Sequence, residues 1–237
     1  MSARFAYGLT RVHARIAERP GAETRKRLAA VDDFGHFLQL AARSGFAGWL
    51  THLGPASGVH AVELALRAAY RSRIRELASW LPLRWRRAVE WLTVAPDLPV
   101  LSDLLLHGRR ADWIARDPVW AELPPGPGEP VRQALRGRWP AIDRYPDDQL
   151  AEAWWAQADA LLPATARATR EAIDELLSAQ IEAADPLWLE RMFRRRSDPA
   201  VRVFAFAGLA RRDFGFLRGH LVRRRLTWRE AAWCCVP

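Results

Sequence analysis

The sequence predicts an all-α fold, built of packed helical hairpins. Three observations predict it. Apolar residues recur at i, i+3 or i+4, and i+7 along almost the whole chain. No strand-length run alternates with period two, and no Asn-Gly or Asp-Gly hairpin signal occurs. Half of the 237 residues are hydrophobic, which suffices for a packed core and excludes global disorder.

Phe5, Leu9, Val12 and Ile16 form one stripe of a first helix, stopped by Pro20-Gly21. A second helix is expected from about Thr24 to Arg43, burying Leu28, Val31, Phe34, Phe37, Leu38 and Ala41, with Ser44-Gly45 as its breaker. A short amphipathic piece, Phe46 to Leu53, leads to Gly54-Pro55. The longest clean stripe is Val59, Val62, Leu66, Tyr70, Ile74 and Leu77, running to Trp80 with Ser57 as candidate N-cap. Pro82 suits the first turn of a helix that aligns Trp85, Val89 and Leu92. Asp97-Leu98-Pro99 opens another, ending near His107-Gly108. Beyond the proline-rich stretch, a short segment around Val131–Trp139 precedes a helix carrying Leu150, Trp154, Ala158 and Leu161. The next runs from Thr165 to Ala183 with Ile173, Leu176, Leu177, Gln180 and Ile181. Asp185-Pro186 resets the chain for Leu187–Arg195. Asp198-Pro199 then opens Ala200 to Ala210, and a final helix carries Phe214, Leu217, Leu221 and Leu226. Isolated glycines in helical context (Gly8, Gly35, Gly45, Gly48) read as points of close helix approach.

The stretch Asp117–Pro130 is rich in proline and glycine and resists helix formation. It divides the chain into an N-terminal helical unit, 1–117, a loop, 118–130, and a C-terminal helical unit, 131–237. Net charge is +9, and Lys26 is the only lysine, an arginine bias that partly reflects GC-rich coding. The distribution is uneven. From Leu187 to Pro237 twelve arginines face four acids, a balance of +8, whereas the first 186 residues balance at +1. Such a localised basic excess suits an acidic partner: nucleic acid, anionic headgroups or an acidic protein face. The N-terminus lacks the apolar stretch of a signal peptide. An apolar run such as Val203 to Ala210 is far short of the roughly 20 residues of a membrane span. A soluble cytoplasmic protein is therefore expected.

Signs of catalysis are few. The two cysteines, Cys234 and Cys235, are adjacent, so they build no disulfide framework and no C-x-x-C site. No pair of histidines sits at metal-binding helical spacing, no G-x-S-x-G elbow appears, and no glycine-rich phosphate loop follows a strand. The acidic pairs Asp32-Asp33 and Asp147-Asp148 and the run Glu171, Asp174, Glu175 read as solvated helix faces or first-turn residues rather than acid–base machinery. No catalytic, metal or cofactor residue is expected, and a small-molecule enzyme ranks last among the functional classes. The strongest signal is the set of arginine clusters, Arg194-Arg195-Arg196, Arg211-Arg212 and Arg223-Arg224-Arg225, joined by Arg218. These residues are the candidate partner interface. Interleaved Phe193, Phe204, Phe206, Phe214 and Phe216 would stack on bases if exposed, but they fall on core spacing.

Several segments resemble a known family. Phe5-Ala6-Tyr7-Gly8-Leu9-Thr10-Arg11-Val12-His13-Ala14-Arg15 resembles the first helix of the V-type/A-type ATPase central-stalk subunit, called C in bacterial and archaeal enzymes and d in vacuolar ones. The stretch from Phe37 to Leu50 is similar to its second-helix signature. Asp97-Leu98-Pro99-Val100-Leu101 stands where the family carries Asp-x-x-Asn-Leu. Asp198-Pro199, the apolar run to Leu209, Asp213-Phe214-Gly215-Phe216-Leu217-Arg218 and Arg223-Arg224-Arg225-Leu226 resemble its last hairpin. Val100 and Phe216 stand where the family pattern has asparagines, and the resemblance implies a shortened form of the family's three-unit helical funnel. The resemblance implies a non-catalytic rotor adaptor without cofactor. It would sit on the cytoplasmic face of the inner membrane, between the shaft subunits (D and F type) and the membrane ion-translocating ring. It implies no small-molecule substrate and no nucleic acid. The arginine clusters would then meet ring loops and anionic headgroups, or line the socket for an acidic shaft tip. The alternative is a cytoplasmic helical protein that binds nucleic acid through the same arginines.

Overall fold

The computed structural model describes residues 3–181, 185–195 and 198–233, leaving aside the side chains of residue 195 and of residues 227–233. Among the described residues the chain is all-α with no strand. The helices, in chain order, are α1 (Ala3–Ala17), α2 (Ala22–Ala29), α3 (Phe34–Ala42), α4 (Val59–Ser79), α5 (Leu83–Trp91), α6 (Leu98–His107), α7 (Glu129–Arg136), α8 (Leu150–Leu161), α9 (Arg170–Ile181), α10 (Pro186–Arg195) and α11 (Pro199–Trp233). Short 3-10 turns, such as Ala47–Trp49 and Leu92–Asp97, join several of them.

The last helix organises the rest. α11 has 35 residues, about 52 Å at 1.5 Å per residue. Its inward aromatic side chains meet a different element at each level. Phe204 lies edge-on to Trp85 of α5, Phe214 meets Tyr70 of α4, and Phe216 stacks on Phe46 after α3. Further along, His220 stacks on Phe37 of α3. Helices α1, α9 and α10 also lie against it. Apolar residues from both sides of the 118–130 stretch belong to one continuous core, from Phe5 to Leu221.

Expected and observed elements differ in several places: the helix expected from Thr165 begins at Arg170 after a 3-10 turn, Pro82 precedes its helix as the N-cap, and four further differences have a local cause. The single helix over Thr24–Arg43 is two, because Asp33 caps α3: its side chain accepts from the His36 N–H at 2.6 Å. The break expected after Ala210 is absent. Arg211-Arg212-Asp213 contains no helix breaker, so α11 runs through. Ser57 does not cap α4. Gly58 occupies that position, and the Ser57 hydroxyl accepts from the Gly54 N–H instead. Pro130 lies in the first turn of α7, where a missing N–H costs nothing, so the loop ends two residues earlier than expected.

Glycines mark two close approaches. A Cβ at Gly45 would lie 1.8 Å from the Glu18 carbonyl oxygen, so the turn after α3 abuts the backbone just beyond α1. A Cβ at Gly208 would lie 2.8 Å from Leu189 Cδ2, which brings α10 against α11.

Candidate functional site

The arginines singled out in the sequence do not form one surface. Successive residues of a helix are about 100° apart, so neighbours point to different sides. On α11, Arg211, Arg218 and Arg225 are spaced by seven and share a side. Arg211 is partly buried over the Phe214 ring, 5.2 Å from its centroid, and its Nε has no hydrogen-bond partner among the described residues. Burial holds its pKa below the ordinary guanidinium value, and nearby Arg67 and Arg218 push the same way. Arg218 is 44% exposed and bonds both oxygens of Glu63, at 2.7 and 3.0 Å. Arg225 lies on the Phe34 ring, 3.8 Å from its centroid, and donates to the Pro55 carbonyl.

Arg224 points the other way and is only 4% exposed. Its guanidinium donates to the carbonyls of Leu28, Ala29 and Val31, and to His220 through its carbonyl and Nδ1. The first three are carbonyls at the C-terminal end of α2. Arg224 is thus an internal cap, a cation set where the helix dipole favours one. Arg212 is partly exposed and Arg223 exposed. On α10, Arg194 is 74% exposed, with Glu190 at 3.9 Å. The Arg195 side chain and the whole of Arg196 lie outside the described residues, as do Cys234 and Cys235. Phe193, Phe204, Phe206 and Phe214 are buried and Phe216 is packed against the core. The expected docking set therefore separates by exposure: Arg194, Arg218 and Arg223 are exposed, Arg211, Arg212 and Arg225 are partly buried, and Arg224 is buried.

Sequence reasoning missed the polar centre of the molecule. Glu63, Arg67 and Arg71 follow one another at i, i+4 and i+8 on α4, beside its apolar stripe, and all three are buried. Asp97, 1% exposed, accepts from Arg67 Nε at 2.9 Å, from an Arg71 terminal nitrogen at 2.6 Å and from Trp120 Nε1 at 2.8 Å. Arg67 also pairs with Glu63, and Arg71 with both oxygens of Asp117, at 2.7 and 2.8 Å. The Arg67 guanidinium lies over the Trp113 ring, 4.0 Å from its centroid. Burial works against the Arg71 cation, but Asp97 and Asp117 more than offset it and raise its pKa. The start of the proline-rich stretch is thereby stapled to α4 through Asp117, and to Asp97 through Trp120. A second hub is Asp213 on α11, which takes a two-pronged bond from Arg19 at 2.8 Å on each arm and another from Arg25 at 2.5 Å.

Among the acids weighed for acid–base work, Asp33 is a cap, Asp147 pairs with Arg132, and Asp174 has a buried oxygen without a partner among the described residues. Burial, then the charge of Asp159, raises the Asp174 pKa. Among the described residues no group of histidines, cysteines and acids has the arrangement of a metal site, and no helix is long and apolar enough to cross a membrane. No family model, curated protein or solved structure matches the chain.

Proposed function

We propose that the protein is a non-catalytic rotor adaptor of a V/A-type ATPase, coupling the central shaft to the membrane ring from the cytoplasmic face. One observation carries the reading: the segments that bear the resemblance pack together. Phe5–Arg15 lies on α1, Phe37–Leu50 on α3 and the turn after it, and Asp198–Leu226 on or just before α11. α1 and α3 pack on α11 directly, and Asp97 joins through its bonds to Arg67 and Arg71 of α4. A coupling part must transmit force without yielding. A continuous helical core crossed by buried carboxylate–guanidinium bridges suits that task. Arg194, Arg212 and Arg223 supply the cationic contact with acidic loops or headgroups.

The test is affinity purification of the tagged chain from gently solubilised membranes at low salt, with mass spectrometry of what accompanies it. Shaft and ring subunits in near-stoichiometric amounts are the expected result. Nucleic acid in their place, or a protein that stays alone in the soluble fraction, would overturn the reading.

A further inference from the structure

We propose that the cleft around Arg73 binds an oxyanion of the phosphate class. It lies between α1, α4, α11 and the turn after α3, has a volume of about 380 Å3, and is lined by Arg15, Glu18, Arg19, Trp49, Arg73 and Asp213, among others. A second cleft of about 410 Å3 adjoins it and shares Arg15, Gly48 and Arg73. The proposal is independent of the adaptor reading and stands or falls without it.

Arg15 is matched by Glu18 and Glu76, at 3.1 and 2.8 Å. Arg19 is matched by Asp213, which also holds Arg25. Arg73 has no hydrogen bond or ion pair among the described residues. Its Nε is buried without a partner, and its guanidinium rests on the Trp49 ring, 4.6 Å from the centroid. Burial and the neighbouring Arg15 lower its pKa. The nearby acids that would oppose this, Asp213, Glu76 and Glu18, are already engaged by other arginines. One guanidinium is therefore left uncompensated in a partly desolvated place, an arrangement costly to keep without a counter-charge.

The geometry selects the ligand class. The cleft presents guanidinium groups from α1 and α4, and donors arriving from different elements suit a tetrahedral anion with acceptors on every side. A Cβ at Gly48 would stand 3.0 Å from an Arg73 terminal nitrogen, so glycine there leaves room beside that end of the guanidinium. Phe206 and Trp49 wall the cleft with apolar surface, and its volume exceeds that of a bare phosphate. The phosphate is either free or carried on a small organic group.

Calorimetric and NMR titrations of the full chain at constant ionic strength test this with inorganic phosphate, glycerol phosphate and acetate. Saturable one-to-one binding of phosphate or glycerol phosphate, at least about tenfold tighter than acetate, is expected. Tighter binding of glycerol phosphate identifies an ester as the ligand, and equal or weaker binding identifies the free ion. Arg73→Met removes the charge and leaves an apolar side chain in its place beside Trp49. It should weaken phosphate binding about 10- to 100-fold without lowering the unfolding midpoint of the ligand-free protein. Arg73→Lys, a second variant, should bind with intermediate affinity. Acetate binding as tight as phosphate, a non-saturable response, or phosphate affinity unchanged in Arg73→Met or Arg73→Lys would overturn the proposal.

Discussion

Removing the Asp97 carboxylate is the sharpest perturbation of this fold. Asp97→Ala takes three acceptor contacts from the centre of the molecule, those with Arg67 Nε, Arg71 and Trp120 Nε1. Arg67 keeps Glu63 and Arg71 keeps Asp117, so neither cation is stranded completely. The indole N–H loses its bond outright, and two buried guanidiniums share one fewer negative charge. Breaking a buried, hydrogen-bonded charge pair costs about 3–5 kcal/mol. For a chain of this length each kcal/mol moves the midpoint by about 2–4 °C, so thermal unfolding should fall by about 6–20 °C. Circular dichroism melts, with urea unfolding as a second measure, read this directly. Asp97→Asn preserves shape and an acceptor for Trp120, so a loss nearly as large assigns the effect to charge. As a control, Glu18→Gln at the exposed pair with Arg15 should leave the midpoint within error. A loss below about 1 kcal/mol for both Asp97 variants would refute the claim that this network holds the core.

Three further outcomes are expected. Arg224→Ala should uncap the end of α2, cost about 1.5–3 kcal/mol, and speed amide exchange around Leu28–Val31 more than elsewhere. Gly45→Ala drives a Cβ into backbone at Glu18, which no side-chain rotation relieves, and should destabilise by at least about 1–3 kcal/mol in urea unfolding. His220 is held below its ordinary pKa of 6.5 by burial, then by Arg224 and Arg223. The unfolded chain therefore takes up a proton that the folded one resists. Stability is greatest above pH 6.5 and declines as pH falls below it. Urea midpoints measured at intervals from pH 7.5 to 5 should show that decline, and His220→Asn should flatten it.

Much of the fold is legible because it is local. The apolar stripe of α4 and the left-handed Gly108 that ends α6 both follow from short-range pattern. The break between α2 and α3 was also within reach: Asp33, three residues before His36 and beside an apolar run, is a capping signal that the surrounding stripe masked. The candidate site was harder. Three adjacent arginines read as one basic cluster along the chain, but helical rotation sends Arg223 outward, Arg224 onto the end of α2 and Arg225 onto Phe34. Helical spacing alone would have separated them. Asp97 and Asp117, which bind Arg67 and Arg71, lie 26 to 46 residues from them, and no local pattern names a non-local carboxylate. The only trace was a run of charge at i, i+4 and i+8 pressed against an apolar stripe, a pattern expected of buried ion pairs as well as of a solvated face.

The adaptor role is tested most directly by quantitative co-purification from low-salt membranes of the wild-type chain and of Arg194→Glu/Arg212→Glu/Arg223→Glu. The wild type should carry shaft and ring subunits in near-stoichiometric amounts. The triple variant should lose them while remaining folded, as judged by its circular dichroism spectrum. Recovery of neither subunit class with the wild-type chain, or undiminished recovery with the triple variant, would contradict, respectively, the role and the surface assigned to it.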